Sequence, residues 1–287
     1  MKSLREIRRR IRSVKNTQQI TKAMEMVAAA KLRKAQERAE AARPYAEQMK
    51  AIISRLVSHM PNLQHQLLEK REVKNTGYLV IAADRGLCGG YNTGLLRFAS
   101  GHIKDKNTDQ ILTIGKKARD YFRRRQYNLY AVHLDMEDQP GVKKVKDISQ
   151  EAIKGFTDGN YDELYLAYTE FVNVVRQVPR IVKLLPMEPQ IEEQEEVKKG
   201  AKALYTFEPG EEVIIDSFLP KYIEGLVYHA ILEAKASEYG AKMTAMGSAT
   251  ENAQEMIESL TIVLNRARQA TITQEILEIC NTALALQ

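Results

Sequence analysis

The chain has 287 residues, 43 Lys+Arg against 37 Asp+Glu, no Trp and only 7 % aromatics. That length accommodates two domain-sized units, and so few aromatics, with Gly and Pro crowded into the middle, disfavour an all-β domain and suit long helices. No apolar run approaches a bilayer span, no secretory core opens the chain, and the distant cysteines Cys88 and Cys280 argue against a disulfide framework.

The net charge of +6 says little until it is divided along the chain. Residues 1–60 carry +10, residues 61–209 carry +2, and residues 210–287 carry −6. The same limits mark three expected domains: an N-terminal coiled-coil helix (1–60), a linker and α/β globular domain (61–209), and a C-terminal coiled-coil helix with an apolar tip (210–287).

In the first segment a stripe stepping by three and four runs from Leu4 through Ile7, Ile11 and Val14 to Met49, Ile53, Leu56 and Met60. A seven-residue repeat needs a partner that winds with it. Gln18, Thr21 and Glu25 interrupt the stripe, while Ile20, Met24 and Val27 carry apolar character to a neighbouring face, which suggests a second contact surface. The spacing of Ser3 and Glu6 predicts a capping box, and Pro44 predicts a local kink within a helix of about 85 Å.

The middle alternates strand and helix. Strands are expected at 78–83, 110–114, 128–133, 163–171 and 180–185, with an edge strand at 203–207. Helices are expected at 93–104, 116–125 and 148–156, giving a largely parallel sheet. In the last segment Ala253, Met256, Leu260, Val263, Ala267 and Ala270 are the predicted seam, with Ile257 and Leu264 beside it. Gly225, Gly240 and Gly247 mark candidate close approaches between helices. The closing stretch carries Ile272, Ile276 and Ile279 on one side and Leu277, Cys280 and Leu284 on another. A helix apolar on several sides is normally enclosed, so its wall is expected to come from other subunits.

Chemistry is sparse. The turn Gly86-Leu-Cys-Gly-Gly90 stands between a strand and a helix, where phosphates are cradled, but it lacks the Gly-x-Gly-x-x-Gly spacing. Tight packing is the favoured role. Cys88 and Cys280 read as buried reduced thiols rather than nucleophiles, five histidines show no ligand spacing, and 123–125 reads as a solvated helix end. No catalytic residue, cofactor site or metal site is expected. The basic run Arg8-Arg9-Arg10-Ile-Arg12 fits a solvated face, phosphate-backbone binding, or an acidic protein partner. The protein partner is favoured over nucleic acid, because the acidic C-terminal segment already supplies one counter-charge.

Several motifs together resemble the gamma subunits of F-type ATP synthases. They are Ile20-Thr-Lys-Ala-Met-Glu-Met-Val-Ala-Ala-Ala-Lys31, Asp84-Arg-Gly-Leu-Cys-Gly-Gly90, Ser237-Glu-Tyr-Gly-Ala-Lys-Met-Thr-Ala-Met-Gly-Ser-Ala-Thr-Glu-Asn252 and Asn265-Arg-Ala-Arg-Gln-Ala-Thr-Ile-Thr-Gln-Glu275. The resemblance implies an antiparallel coiled coil of the terminal helices with a Rossmann-like α/β domain inserted between them. It implies a non-catalytic rotor shaft that couples proton-driven c-ring rotation to conformational cycling of the beta subunits. Its partners would be three alpha and three beta subunits, epsilon and the c-ring, with no nucleic acid and membrane association through the Fo sector only.

By the same resemblance, Arg268 and Gln269 meet a catch loop of a beta subunit, and Met24 lies in a motif that influences coupling. Arg8, Arg9, Arg10, Ile272, Ile276 and Ile279 face the alpha/beta ring, and Tyr205 and Glu208 face the c-ring and epsilon. The segment Cys280-Asn281-Thr282 replaces the paired glycines common in the family. Neither a regulatory cysteine loop nor a presequence is expected, which favours a bacterial chain at the cytoplasmic face of the cell membrane. Two other classes compete: a coiled-coil protein that binds RNA, and a small-molecule α/β enzyme.

Overall fold

The computed structural model describes residues 4–59, 65–188 and 211–285. The chain begins with α1 (Leu4–His59) and ends with α5 (Glu211–Ala285). Between them lie β1 (Thr76–Ile81), α2 (Tyr91–His102), β2 (Gln110–Ile114), α3 (Lys116–Arg124), β3 (Asn128–His133), α4 (Val142–Thr157), β4 (Glu163–Phe171) and β5 (Gln177–Leu185). Two compact units divide the chain: Met1–Ala29 with Lys242–Gln287, and Ala30–Ala241.

In the larger unit the sheet order is β3-β2-β1-β4-β5. The first four strands are parallel, and β5 returns antiparallel to β4, pairing Ala167 with Ile181. β1 is buried along its whole length, as a central strand covered on both faces must be. One sheet face packs on α4 and α5 through Ile148, Phe156, Ile223 and Ile231. The other packs on α2 and α3 through Leu95, Leu96, Ala118 and Phe122. Filling these two layers removes large apolar side chains from water, each at a gain of about 1.5–3 kcal/mol. The expected strands and helices of the middle segment are all present, except that 203–207 lies outside the described residues. α4 starts six residues earlier than the sequence suggests, at Val142, where its polar first turn hides the helical period.

In the smaller unit the terminal helices run antiparallel. Gln18 Nε2 donates to Gln254 Oε1 at 2.9 Å, and Thr250 Oγ1 donates to Thr21 Oγ1 at 2.8 Å. Glu25 faces Gly247, so the partner position retreats along α5 as α1 advances. Every position of the predicted α1 stripe from Leu4 to Ile53 is buried or half-buried. The seam of α5 differs in phase from the expectation: Met246, Ala253 and Ile257 are buried, with Thr250, Leu260, Leu264 and Ala267 half-buried. Met256 and Val263, read as seam residues, are instead 46 % and 45 % exposed. The apolar residues of α5 occupy several sides, so hydropathy alone does not single out the side that α1 covers. Pro44 and Pro220 both lie inside continuous helix.

The three helical glycines divide differently from the sequence expectation. A Cβ at Gly225 or Gly247 would make no more than ordinary contact with α1, whereas at Gly240 it would lie 3.1 Å from Phe171 Cε2. The tightest approach is therefore of helix to strand, not helix to helix.

Candidate functional site

The glycine-rich turn occupies the place where open α/β sheets bind ligands, at the carboxyl end of β1 between its two crossovers. Side chains in and around it are engaged within the protein. The Ala83 amide donates to Asn92 Oδ1 at 3.0 Å, and Asn92 Nδ2 donates to Cys88 Sγ at 3.0 Å. Cys88, Tyr91 and Ala83 are buried together beside Ala241 of α5, and the Tyr91 hydroxyl donates to the Ala234 carbonyl at 3.0 Å. Burial raises the Tyr91 pKa well above its ordinary value, which keeps that donor protonated.

Asp84 completes the arrangement. Its carboxylate accepts the amides of Lys116 (3.0 Å), Asp135 (3.3 Å) and Met136 (3.1 Å), and so caps the start of α3 and ties down the loop after β3. The turn packs against α5 through Cys88 and the adjoining Tyr91. Among the described residues no cluster of His, Cys, Asp and Glu is arranged to hold a metal ion.

The terminal helices carry the opposite pattern. Arg8, Arg9 and Arg10 are exposed on α1, and Arg9 and Arg10 line a groove of about 1100 Å³ with Ile7, Leu260, Val263 and Ala267. Met24 is half-buried, while its neighbours Ile20, Met26 and Val27 are exposed. Arg268 and Gln269 are exposed on α5. Every described side chain from 271 to 282 is exposed, including Ile272 (48 %), Ile276 (54 %), Leu277 (56 %) and Ile279 (67 %). Cys280 is exposed with them, against the expectation of a buried thiol, because among the described residues nothing covers that part of α5. Covering these side chains would recover on the order of 1 kcal/mol each. Tyr205 and Glu208 lie outside the described residues. Met256 and Ile262 are also exposed, which their sequence neighbours do not signal, since Ile257 and Val263 beside them are equally apolar.

Comparison with known proteins bears on these surfaces. A family described as ATP synthase matches residues 3–286. The ATP synthase gamma chain of Desulforamulus reducens is 50 % identical over 287 residues, covering 100 % of both chains. That of Desulfitobacterium hafniense is 49 % identical over 288 residues, again with 100 % of both covered.

The chain belongs to the ATP synthase gamma-chain family.

Solved structures agree on the fold. A chain of the Euglena gracilis mitochondrial ATP synthase (OSCP/F1/c-ring, rotational state 3) superposes with a TM-score of 0.69 at 20 % identity, covering 99 % of this chain and 94 % of that one. A chain from the central stalk and c-ring of the Tetrahymena thermophila mitochondrial ATP synthase gives 0.58 at 25 % identity, covering 80 % and 99 %. The fold is thus an antiparallel coiled coil of the terminal helices with a Rossmann-like α/β domain inserted between them, as gamma-chain family membership implies. Among the described residues no helix is long and apolar enough to cross a membrane.

Proposed function

We propose that this chain is the central rotor shaft of an F-type ATP synthase, coupling c-ring rotation to conformational cycling of three catalytic beta subunits. One observation carries the reading: the last described turns of α5 expose apolar side chains on several sides, and no described residue of the chain covers them. A helix of this kind is stabilised by a surrounding wall, and an alpha/beta ring would provide one. The full-length likeness to gamma chains supports the same assignment.

In this reading Ile272, Ile276 and Ile279 turn against an apolar collar, while Arg268 and Gln269 bias particular angles through polar contacts. Arg8, Arg9 and Arg10 meet acidic surfaces of the ring, and Met24 stands at a coupling surface. Tyr205 and Glu208 face the c-ring and epsilon. A shaft shifts its neighbours only if it interacts differently with their open and closed states. The chain has no catalytic role, and it is peripheral to the cytoplasmic face of the membrane, held there by the Fo sector.

The test is reconstitution. Mixed with alpha and beta subunits, the chain should co-purify in a three-to-three-to-one complex that rotates when ATP is added. Steady ATP turnover by the isolated chain, or failure to enter such a complex, would overturn the reading.

A further inference from the structure

The loop between β3 and α4 is mounted on the sheet. Its residues Asp135 and Met136 donate their amides to Asp84 at the end of β1, and Lys144 Nζ donates to the carbonyls of Leu134 and Asp135, both at 2.8 Å. Two residues further on stands Asp138, and both terminal helices reach it. From α1, Lys31 Nζ lies 2.7 Å from Asp138 Oδ2, and Arg38 Nη1 donates to the Asp138 carbonyl at 3.1 Å. Lys31 and Arg38 are seven residues apart and so share one face of α1. From α5, the Tyr239 hydroxyl donates to Asp138 Oδ1. Lys31 Nζ also lies 5.4 Å from the centroid of the Tyr239 ring, which joins the two helices directly.

These contacts form a closed triangle of α1, loop and α5. Three elements tied in a closed circuit cannot slide past one another without breaking a bond, whereas an open chain of ties leaves one element free to shift. Burial alone would raise the Asp138 pKa, but the hydrogen bonds from Lys31 and Tyr239 outweigh it and hold the carboxyl below its ordinary value. The acid is therefore charged at neutral pH. Since the Lys31 and Asp138 side chains are 44 % and 42 % exposed, the ion pair itself adds little stability. Its geometry, rather than its energy, is what distinguishes it.

We infer that Asp138 is a positioning residue for torque, locking the α/β domain to both terminal helices so that rotation applied to the domain passes into the helix pair. The load path runs from β1 through Asp84 to the loop, and from Asp138 into α1 and α5. Its role in torque rests on the rotor reading above, but the lock itself is a property of this chain alone.

Two measurements separate them. In the isolated full chain, spin labels at the exposed positions 33 and 124 report the distance between α1 and α3. Asp138→Ala should broaden that distance distribution, Asp138→Glu should broaden it less, and the double variant Lys31→Met/Asp138→Ala should be no broader than Asp138→Ala. Should Asp138→Ala fail to fold, Tyr239→Phe removes only the hydroxyl and should still broaden it. An unchanged distribution in a folded variant overturns the lock. In the assembled complex, the same variants should reduce the torsional stiffness of the rotor while ATP still drives rotation. A complex with normal stiffness and a broadened distribution would sink the torque role and leave the lock. If the wild-type chain forms no rotating complex, the rotor reading fails instead.

Discussion

The α/β domain and the terminal helices of one chain spend their polar and apolar groups in opposite ways. In the domain, the groups that could serve a ligand are turned inward: Asp84 accepts three backbone amides, Asn92 holds the turn, and Cys88 is buried. On α5 the apolar groups that ordinarily make a core are turned outward, from Met256 and Ile262 to Ile279. Both faces of the sheet are covered by helices of the same chain, whereas no described residue covers the end of α5. In the rotor reading proposed above, function lies where folding leaves apolar surface exposed, not where a familiar motif stands.

The sharpest way to break the comparison is to damage the self-sufficient part. Gly115 sits at φ +97°, and a Cβ there would lie 2.2 Å from the Ala82 carbonyl oxygen. Gly115→Ala should cost about 3 kcal/mol or more in denaturant unfolding, because backbone strain and a backbone clash act together. Native-like stability would mean that the β1–β2 layer is looser than described.

Damage to the incomplete part should look different. Removal of residues 272–287 takes away a stretch whose described side chains, 272 to 282, are all exposed, so the unfolding midpoint should stay nearly unchanged. Torque in a single-complex rotation assay should fall; full torque would contradict the role given to the tip. Reversing Arg8, Arg9 and Arg10 to Glu should likewise spare folding, since all three are exposed, but should impair ATP-driven proton pumping or assembly. Wild-type pumping would remove these arginines from the interface.

The smallest expected effect tests the seam of the smaller unit. Thr250→Val leaves the Thr21 hydroxyl facing an apolar group and should cost about 1 kcal/mol. The double variant Thr21→Val/Thr250→Val replaces both partners and should recover most of that loss. Additive losses would show that the two hydroxyls do not act as a pair.

The sequence made the elements legible because their periods are strong. The α1 stripe is buried or half-buried from Leu4 to Ile53, and the β1 run Tyr78–Ile81 is central. The phase of α5 was not legible, because Met256 and Val263 are as apolar as Ile257 and Leu260, and only the position of α1 distinguishes them. Asp84 could be placed at a turn but not given its three amides, which come from residues 32 to 52 positions away. Asp138 carries no local signal at all. Its partners lie about a hundred residues away in both directions, and nothing in the neighbouring sequence distinguishes it from a solvated acid. The positive φ of Gly115 was equally hidden, since it follows from the backbone path beside Ala82.

The facing threonines and glutamines of the smaller unit have a geometric consequence. Slipping the pair by one heptad, about 10 Å, would set Thr21 against apolar Ile257 in one direction or Met243 in the other, and would part Gln18 from Gln254. The hydrophilic rung thus works as a ruler mark. It fixes where the two helices meet, and with that how many turns of α5 extend past the start of α1.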